Sequence, residues 1–232
     1  MPDYMILIRE NETDQQRMPP SETKALVEAH AGYVKHLKTL GAYRDGERLR
    51  PSAEAKRVYA RKVEAGPFGD EQAIAGYYLV EADDLAAAVA LAEPCPMAPG
   101  DTLDVRPVMG GDVRADKTSR QGKTFAFAVL GNAPSEKAWV EVMDRIEADT
   151  HDGFPDERFL GGVRLEAPGR GRHIVSRGPK RALMDGPFLE SKEVIGGIFF
   201  MRMTDLDEAV RWARGTKFML HGALEIRELW RS

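Results

Sequence analysis

The chain has 232 residues, of which 43% are hydrophobic and 30% charged, an ordinary globular composition that removes disordered, collagen-like and coiled-coil readings. With 33 Lys plus Arg against 37 Asp plus Glu, the net charge is −4, which does not favour a phosphate backbone as partner. One cysteine, Cys95, cannot close an intrachain disulfide and has no Cys partner for a zinc site, so a reducing cytoplasm is expected.

In chain order, residues 4–8 form an apolar run that Arg9 and Glu10 end well short of a signal-peptide core, and they read as a first strand. Residues 21–40 carry Leu26, Tyr33, Leu37 and Leu40 on one helical stripe, closed by Gly41. A strand is expected at residues 57–63, and a stronger one at 74–80. Asp84 then caps a helix whose core face is Leu85, Ala88, Val89 and Ala92, and residues 103–108 form a closing strand. The second half repeats this order. Residues 124–130 form its first strand, Trp139, Met143 and Ile146 mark its first helix, and Asp205 with Glu208 has capping-box spacing before its second helix. No run is long and apolar enough for a membrane-spanning helix.

Sliding the sequence over itself shows why the halves agree. At an offset of 121, Ile74 meets Ile195, Gly76 meets Gly197, Asp84 meets Asp205, Leu85 meets Leu206, and the register runs on to Leu103 with Leu224 and Arg106 with Arg227. An offset of 120 aligns Gly66-Pro67-Phe68 with Gly186-Pro187-Phe188. The chain is therefore a duplicated domain: residues 1–109, a polar glycine-flanked connector over 110–122, and residues 123–232. Strand, helix, strand, strand, helix, strand is the ferredoxin-like order, so the fold class is α+β. The strongest strands are apolar on both parities and need cover on both faces. Since two helices cover only one, the expectation is two ferredoxin-like sheets packed face to face as an intramolecular pseudo-dimer, with a ligand cleft between them.

Asp185-Gly186-Pro187-Phe188-Leu189-Glu190-Ser191-Lys192-Glu193, then Ile195-Gly196-Gly197, resembles the signature of the DGPF family, also called YCII-related proteins. The closing strands, Leu103-Asp104-Val105-Arg106 and Leu224-Glu225-Ile226-Arg227, are similar to that family's terminal strand, and His30 through Tyr33 to Gly41 is similar to its first helix. The resemblance covers nearly the whole chain twice. It implies a dimeric α+β barrel and marks His30 as a candidate catalytic histidine. It further implies either chemistry on small lactones or chlorinated ring-cleavage products, or a role beside extracytoplasmic-function sigma factors. The first half departs from the signature by reading Ala65-Gly66-Pro67-Phe68, and the second has no histidine near residues 144–146. A site would then be single and asymmetric, combining His30 with Asp185.

Each candidate has a functional and a structural reading. His30 shares the stripe of Leu26, Tyr33 and Leu37 and is either a general base or a hydrogen-bonded core histidine; His36 lies off the stripe. Asp185 is either a turn-forming acceptor or a catalytic group, and Phe188 either a turn staple or a substrate platform. Tyr33 is a candidate substrate contact. Arg106 and Arg227, on the opposite parity of the closing strands from the aliphatic residues, either bind a substrate carboxylate or pair with Asp104 and Glu225. The basic stretch around Arg170, Arg172, His173, Arg177, Lys180 and Arg181 reads as a solvated hairpin. No metal or cofactor motif is present in the sequence. Two function classes follow: an enzyme using acid/base chemistry on a small organic anion or lactone, as isomerase, lyase or dehalogenase; or a non-catalytic ligand-binding or regulatory module. The expected partner is a small molecule or a regulatory protein, with neither nucleic acid nor membrane.

Overall fold

A computed structural model describes residues 1–68, 73–113, 122–131, 136–151, 157–177, 180–185, 194–216 and 222–230. The elements of the first half are β1 (Asp3–Glu10), α1 (Glu12–Arg17), α2 (Pro20–Thr39), β2 (Tyr43–Arg48), β3 (Lys56–Tyr59), β4 (Val63–Ala65), β5 (Ala73–Glu81), α3 (Leu85–Ala92) and β6 (Thr102–Asp112). Those of the second are β7 (Lys123–Gly131), α4 (Glu136–His151), β8 (Phe159–Leu165), β9 (Arg172–Arg177), β10 (Lys180–Asp185), β11 (Val194–Met203), α5 (Leu206–Arg214) and β12 (Ala223–Glu228). The expected connector lies mostly at residues 114–121, and the Gly186-Pro187-Phe188 turn at 186–188; both fall outside the described residues.

The chain forms two compact units, and they are not the two sequence halves. Unit 1 comprises Met1–Arg48, Asp70–Val108 and Pro168–Phe188; unit 2 comprises Leu49–Gly69, Met109–Ala167 and Leu189–Ser232. In unit 1 the antiparallel strand order is β2-β5-β1-β6, extended by the hairpin β9–β10 on β6. In unit 2 it is β8-β11-β7-β12, extended by the hairpin β3–β4 on β12. Each is the ferredoxin-like arrangement, second-third-first-fourth strand, plus one hairpin from the other repeat. The fold class is thus α+β with two tandem ferredoxin-like units.

The strand expected at residues 57–63 needs correction. It is the hairpin β3–β4 of unit 2, and the second strand of unit 1 is β2, read as Tyr-Arg-Asp-Gly-Glu-Arg. Such a strand carries little apolar signal because it lies at the sheet edge, where charged side chains blunt further pairing. The short helix α1 was also not expected; Asn11 caps it by accepting from the Thr13 and Asp14 amides at 3.0 and 3.2 Å.

Repeated residues do repeated jobs. Asp84 accepts from Ala87 N–H and Asp205 from Glu208 N–H, each at 2.8 Å, in nearly identical extended backbone. Glu208 reaches back one residue past the cap, to Thr204 N–H at 2.6 Å. A Cβ on Gly76 would lie 2.5 Å from Glu47 O, and one on Gly197 would lie 2.5 Å from Val163 O. Both glycines stand beside a one-residue register shift, at Ala75 and at Gly196, so the duplicated Ile-x-Gly marks a bulge in each unit. Gly41 ends α2 with φ +71°.

In unit 1, Tyr4, Ile6, Ile8, Tyr78, Val80, Leu103 and Val105 form the face that packs on Tyr33 and Leu37 of α2 and Ala88, Val89 and Ala92 of α3. In unit 2, Phe125, Phe127, Val129, Phe199, Met201, Leu224 and Ile226 pack with Trp139, Met143, Ala209 and Ala213. The opposite parities are buried too: Met5, Leu7, Tyr77 and Leu79 in unit 1, and Ala126, Ala128, Ile198 and Phe200 in unit 2. The β9–β10 hairpin is not simply solvated, as its sequence suggested. His173, Ile174 and Ser176 are buried, and only part of it faces water.

Candidate functional site

The helix-covered face of unit 1 carries a polar group set that has no counterpart among the described residues of unit 2. α2 places His30, Tyr33 and Leu37 over β5 because four- and three-residue steps hold one helical stripe. His30 is half-buried at the edge of that stripe, and its Nδ1 lies 2.9 Å from the Tyr78 hydroxyl. The Tyr33 ring meets the Tyr78 ring edge to face at 5.0 Å, and the Tyr33 hydroxyl donates to Leu91 O at 2.8 Å.

Burial sets the protonation of all three groups. Desolvation first, then the positive charge of Arg48, lower the His30 imidazole from 6.5 to about 4, so it is neutral at pH 7. Desolvation is also the main cause raising the Tyr78 and Tyr33 phenols, which keep their protons. Two tautomers satisfy the His30–Tyr78 bond. If Tyr78 donates, Nε2 carries the imidazole proton; if Nδ1–H donates to the phenol oxygen, Nε2 presents a lone pair. The second form can accept a proton from a bound molecule.

Arg48 completes the set, and the sequence reading did not select it. On β2, Gly46 pairs with Tyr78 and Arg48 pairs with Gly76, which puts Arg48 on the same face as Tyr78. Gly46 is required there, since a Cβ would come 2.6 Å from the Tyr78 ring. The side chain of Arg48 is exposed, and its charge acts on His30. A signal existed: Gly46-Glu47-Arg48 matches Gly162-Val163-Arg164 of β8, where Gly162 faces Phe199 and Arg164 pairs with Gly197 in the same way. In unit 2, however, Phe199 stands where Tyr78 stands. It stacks on Phe127 at 4.9 Å with Trp212 edge-on, so that place is filled by hydrocarbon. Among the described residues, the polar set occurs in unit 1 and not at the equivalent place in unit 2.

The other sequence candidates are placed as follows. Tyr33 is buried and supports Tyr78 by its ring contact. Asp185 ends β10 opposite Arg172, in the same unit as His30 despite coming from the other sequence half. Phe188 lies outside the described residues. Arg106 is fully buried on the sheet face opposite His30, beside Met5, with Nη1 3.9 Å from Asp104 Oδ2. The structure therefore does not bring Arg106 to His30. Arg227, in unit 2, donates from Nε to Arg50 O at 3.0 Å and lies 3.6 Å from Glu225 Oε1. Glu225 in turn accepts from Arg57 at 2.8 Å. His36 is exposed. Cys95 is buried with its thiol pushed up to about 12, which keeps it protonated and unreactive, and its carbonyl accepts from Arg181 at 2.7 Å. Among the described residues, no group of three or more His, Cys, Asp or Glu is placed to hold a metal ion, and no helix is long and apolar enough to cross a membrane.

A duplicated α+β protein, with ferredoxin-like units and a histidine–tyrosine pair on helix α2 and strand β5 of one of them, is the class these features define. The chain belongs to the YCII-related domain family, whose model matches it twice, over residues 3–110 and 127–232. No curated protein matches it. Among solved structures it is similar to a candidate monooxygenase from Fusobacterium nucleatum subsp. nucleatum, at 14% identity and a TM-score of 0.45, over 98% of this chain and 91% of that one. It is also similar to a candidate chlorite dismutase, at 8% identity and a TM-score of 0.43, over 100% of this chain and 96% of that one.

Proposed function

We propose that the chain is an enzyme that moves a proton on a small organic anion or lactone, with His30 as proton acceptor, Tyr78 as the group that orients it and Arg48 as the counter-charge for the anion. The observation that carries this reading is the 2.9 Å hydrogen bond between Tyr78 and a half-buried imidazole that is neutral at working pH; with Nδ1–H donating to the phenol oxygen, Nε2 keeps its lone pair for a bound molecule. An imidazole held near 4 is a weak base in the free protein. A carboxylate drawn to Arg48 offsets the charge that depresses it, so binding itself raises the basicity of His30. Such proton transfer serves isomerase, lyase or dehalogenase chemistry alike.

A second reading, ligand binding without turnover, is favoured by the same depressed basicity: a neutral imidazole and a phenol make a good polar contact pair even if no proton moves. The test is a set of thermal melting curves with benzoate, acetate and γ-butyrolactone on wild type, His30→Ala and Arg48→Ala, with ligand integrity followed by NMR. At a concentration of 100 Kd a bound ligand adds about 2.7 kcal/mol to stability. A carboxylate is expected to raise the wild-type midpoint and to lose most of that effect in Arg48→Ala. If γ-butyrolactone stabilises wild type yet neither opens nor exchanges its α-protons in D2O, the enzymatic reading fails and the binding reading holds; if no compound stabilises wild type, both fail.

A further inference from the structure

An outer strand of a sheet leaves a row of backbone N–H and C=O groups with which another strand can pair. In unit 1 the outer strands are β2 and β10. β2 is guarded: its register on β5 slips between Tyr43 and Asp45, and Arg44 at that slip is tied to Asp3 and Glu81. β4, which ends the hairpin of unit 2, has only three residues. β10 has neither protection. Its six residues, Lys-Arg-Ala-Leu-Met-Asp, run in unbroken register on β9 from Lys180 opposite Arg177 to Asp185 opposite Arg172. Among the described residues, its ladder is to β9 alone. Leu183 stands opposite Ile174, which is buried in the unit 1 core, yet Leu183 itself is 54% exposed.

We infer that β10 is a self-association edge, on which a second copy of this chain adds its own β10 antiparallel about a two-fold axis. Symmetry restricts the register. An axis normal to the sheet keeps each face on its own side, so every residue must meet one of its own parity. Centred on Leu183, the pairing sets Leu183 against Leu183 of the second copy, Ala182 against Met184, and Arg181 against Asp185 at both ends. The exposed leucines then cover each other, and a cation meets an acid twice. Centred instead on Ala182, the same rule sets Arg181 against Leu183 and Lys180 against Met184, which leaves both cations facing hydrocarbon. Residue chemistry therefore selects the Leu183 register. Arg181 Nη2 donates to Cys95 O at 2.7 Å, which holds the side chain against its own unit. A guanidinium carries five donors, so that bond is compatible with a second one to a carboxylate. A ladder from Arg181 to Asp185 is small against the roughly 1,200–2,000 Å² of a stable interface, so the dimer forms reversibly and at raised concentration.

The experiment is sedimentation velocity of the full-length protein over a rising concentration series, on wild type and Leu183→Asp, with circular dichroism as the check on folding. Oxidative crosslinking of Leu183→Cys, Ala182→Cys and Met184→Cys reads the register. Wild type should pass from monomer to dimer as concentration rises, and Leu183→Asp should stay monomeric because two like charges then face each other across the axis. Directly opposed residues have Cα atoms about 4.5–5.5 Å apart, within disulfide range, so Leu183→Cys should form a covalent dimer. In Ala182→Cys and Met184→Cys the new thiols lie diagonally, about 7–8 Å apart, and crosslinking should be at least about tenfold slower. The native Cys95 is buried and should not contribute. If Leu183→Asp does not fold, the contrast among the three cysteine variants decides alone. A wild type that stays monomeric throughout, a dimer that persists in folded Leu183→Asp, or equal crosslinking at the three positions would overturn the inference.

Discussion

Glu225→Ala is expected to lower the unfolding free energy by about 3–5 kcal/mol, the cost of removing one partner from a buried ion pair. Glu225 is the acceptor for Arg57 and the near neighbour of Arg227, and both acid and Arg227 are almost fully enclosed. Without it, two guanidinium groups remain in a desolvated setting with one carboxylate fewer. The loss comes from stranded charge rather than from the pair's own worth. The double variant Glu225→Met, Arg57→Met should therefore be milder than Glu225→Ala, because it exchanges a buried pair for hydrocarbon of similar bulk. Urea unfolding followed by circular dichroism measures both. A loss under about 1 kcal/mol for Glu225→Ala would match an exposed surface pair and contradict the burial described.

Phe127→Ala should cost a similar amount, about 3–5 kcal/mol, for a different reason. Phe127 of β7 is fully buried, lies stacked on Phe199 at 4.9 Å and meets Trp212 edge to face at 5.2 Å. Deleting its ring removes buried apolar area, opens a cavity that β-sheet neighbours cannot collapse into, and forfeits ring contacts worth about 0.5–1.5 kcal/mol each. Phe127→Leu retains much of the volume and should lose less. The urea midpoint and the Trp212 fluorescence report the two effects separately, and a loss below about 1.5 kcal/mol would mean that the site repacks freely.

Much of the architecture was legible because the duplication repeats constraints that are local. Asp84 and Asp205 cap helices, and Gly76 and Gly197 sit where a neighbouring strand's carbonyl leaves no room for Cβ; each is forced by nearby backbone and so survives in both copies. Strands apolar on both parities announced sheets buried on both faces, and the opposite-parity residues of β1 and β7 are indeed enclosed. The hairpin exchange was not legible. Periodicity locates a strand but does not name its partner, and both closing strands offer the same acid-x-arginine edge to whichever hairpin arrives. The edge strand β2 was missed because charged residues dominate it.

The site was legible in part for the same reasons. His30 stood out by its place on the α2 stripe. Its partner Tyr78 lay hidden inside a strand that reads as core, where a phenol looks like any other large apolar side chain. Arg48 fell in the unrecognised strand. Arg106 was correctly separated by parity from the aliphatic face, but parity alone does not say whether an arginine meets a ligand or a neighbouring acid, and Asp104 stands close beside it.

The most direct test of the account is an NMR titration of the His30 imidazole in the full-length protein between pH 8 and 5, alone, with benzoate, and in Arg48→Ala. The imidazole of wild type should remain neutral to pH 5, with its midpoint nearer 4, and that midpoint should rise when benzoate binds or when Arg48 is removed. A midpoint at the ordinary 6.5, indifferent to both changes, would contradict a desolvated histidine held between Tyr78 and Arg48.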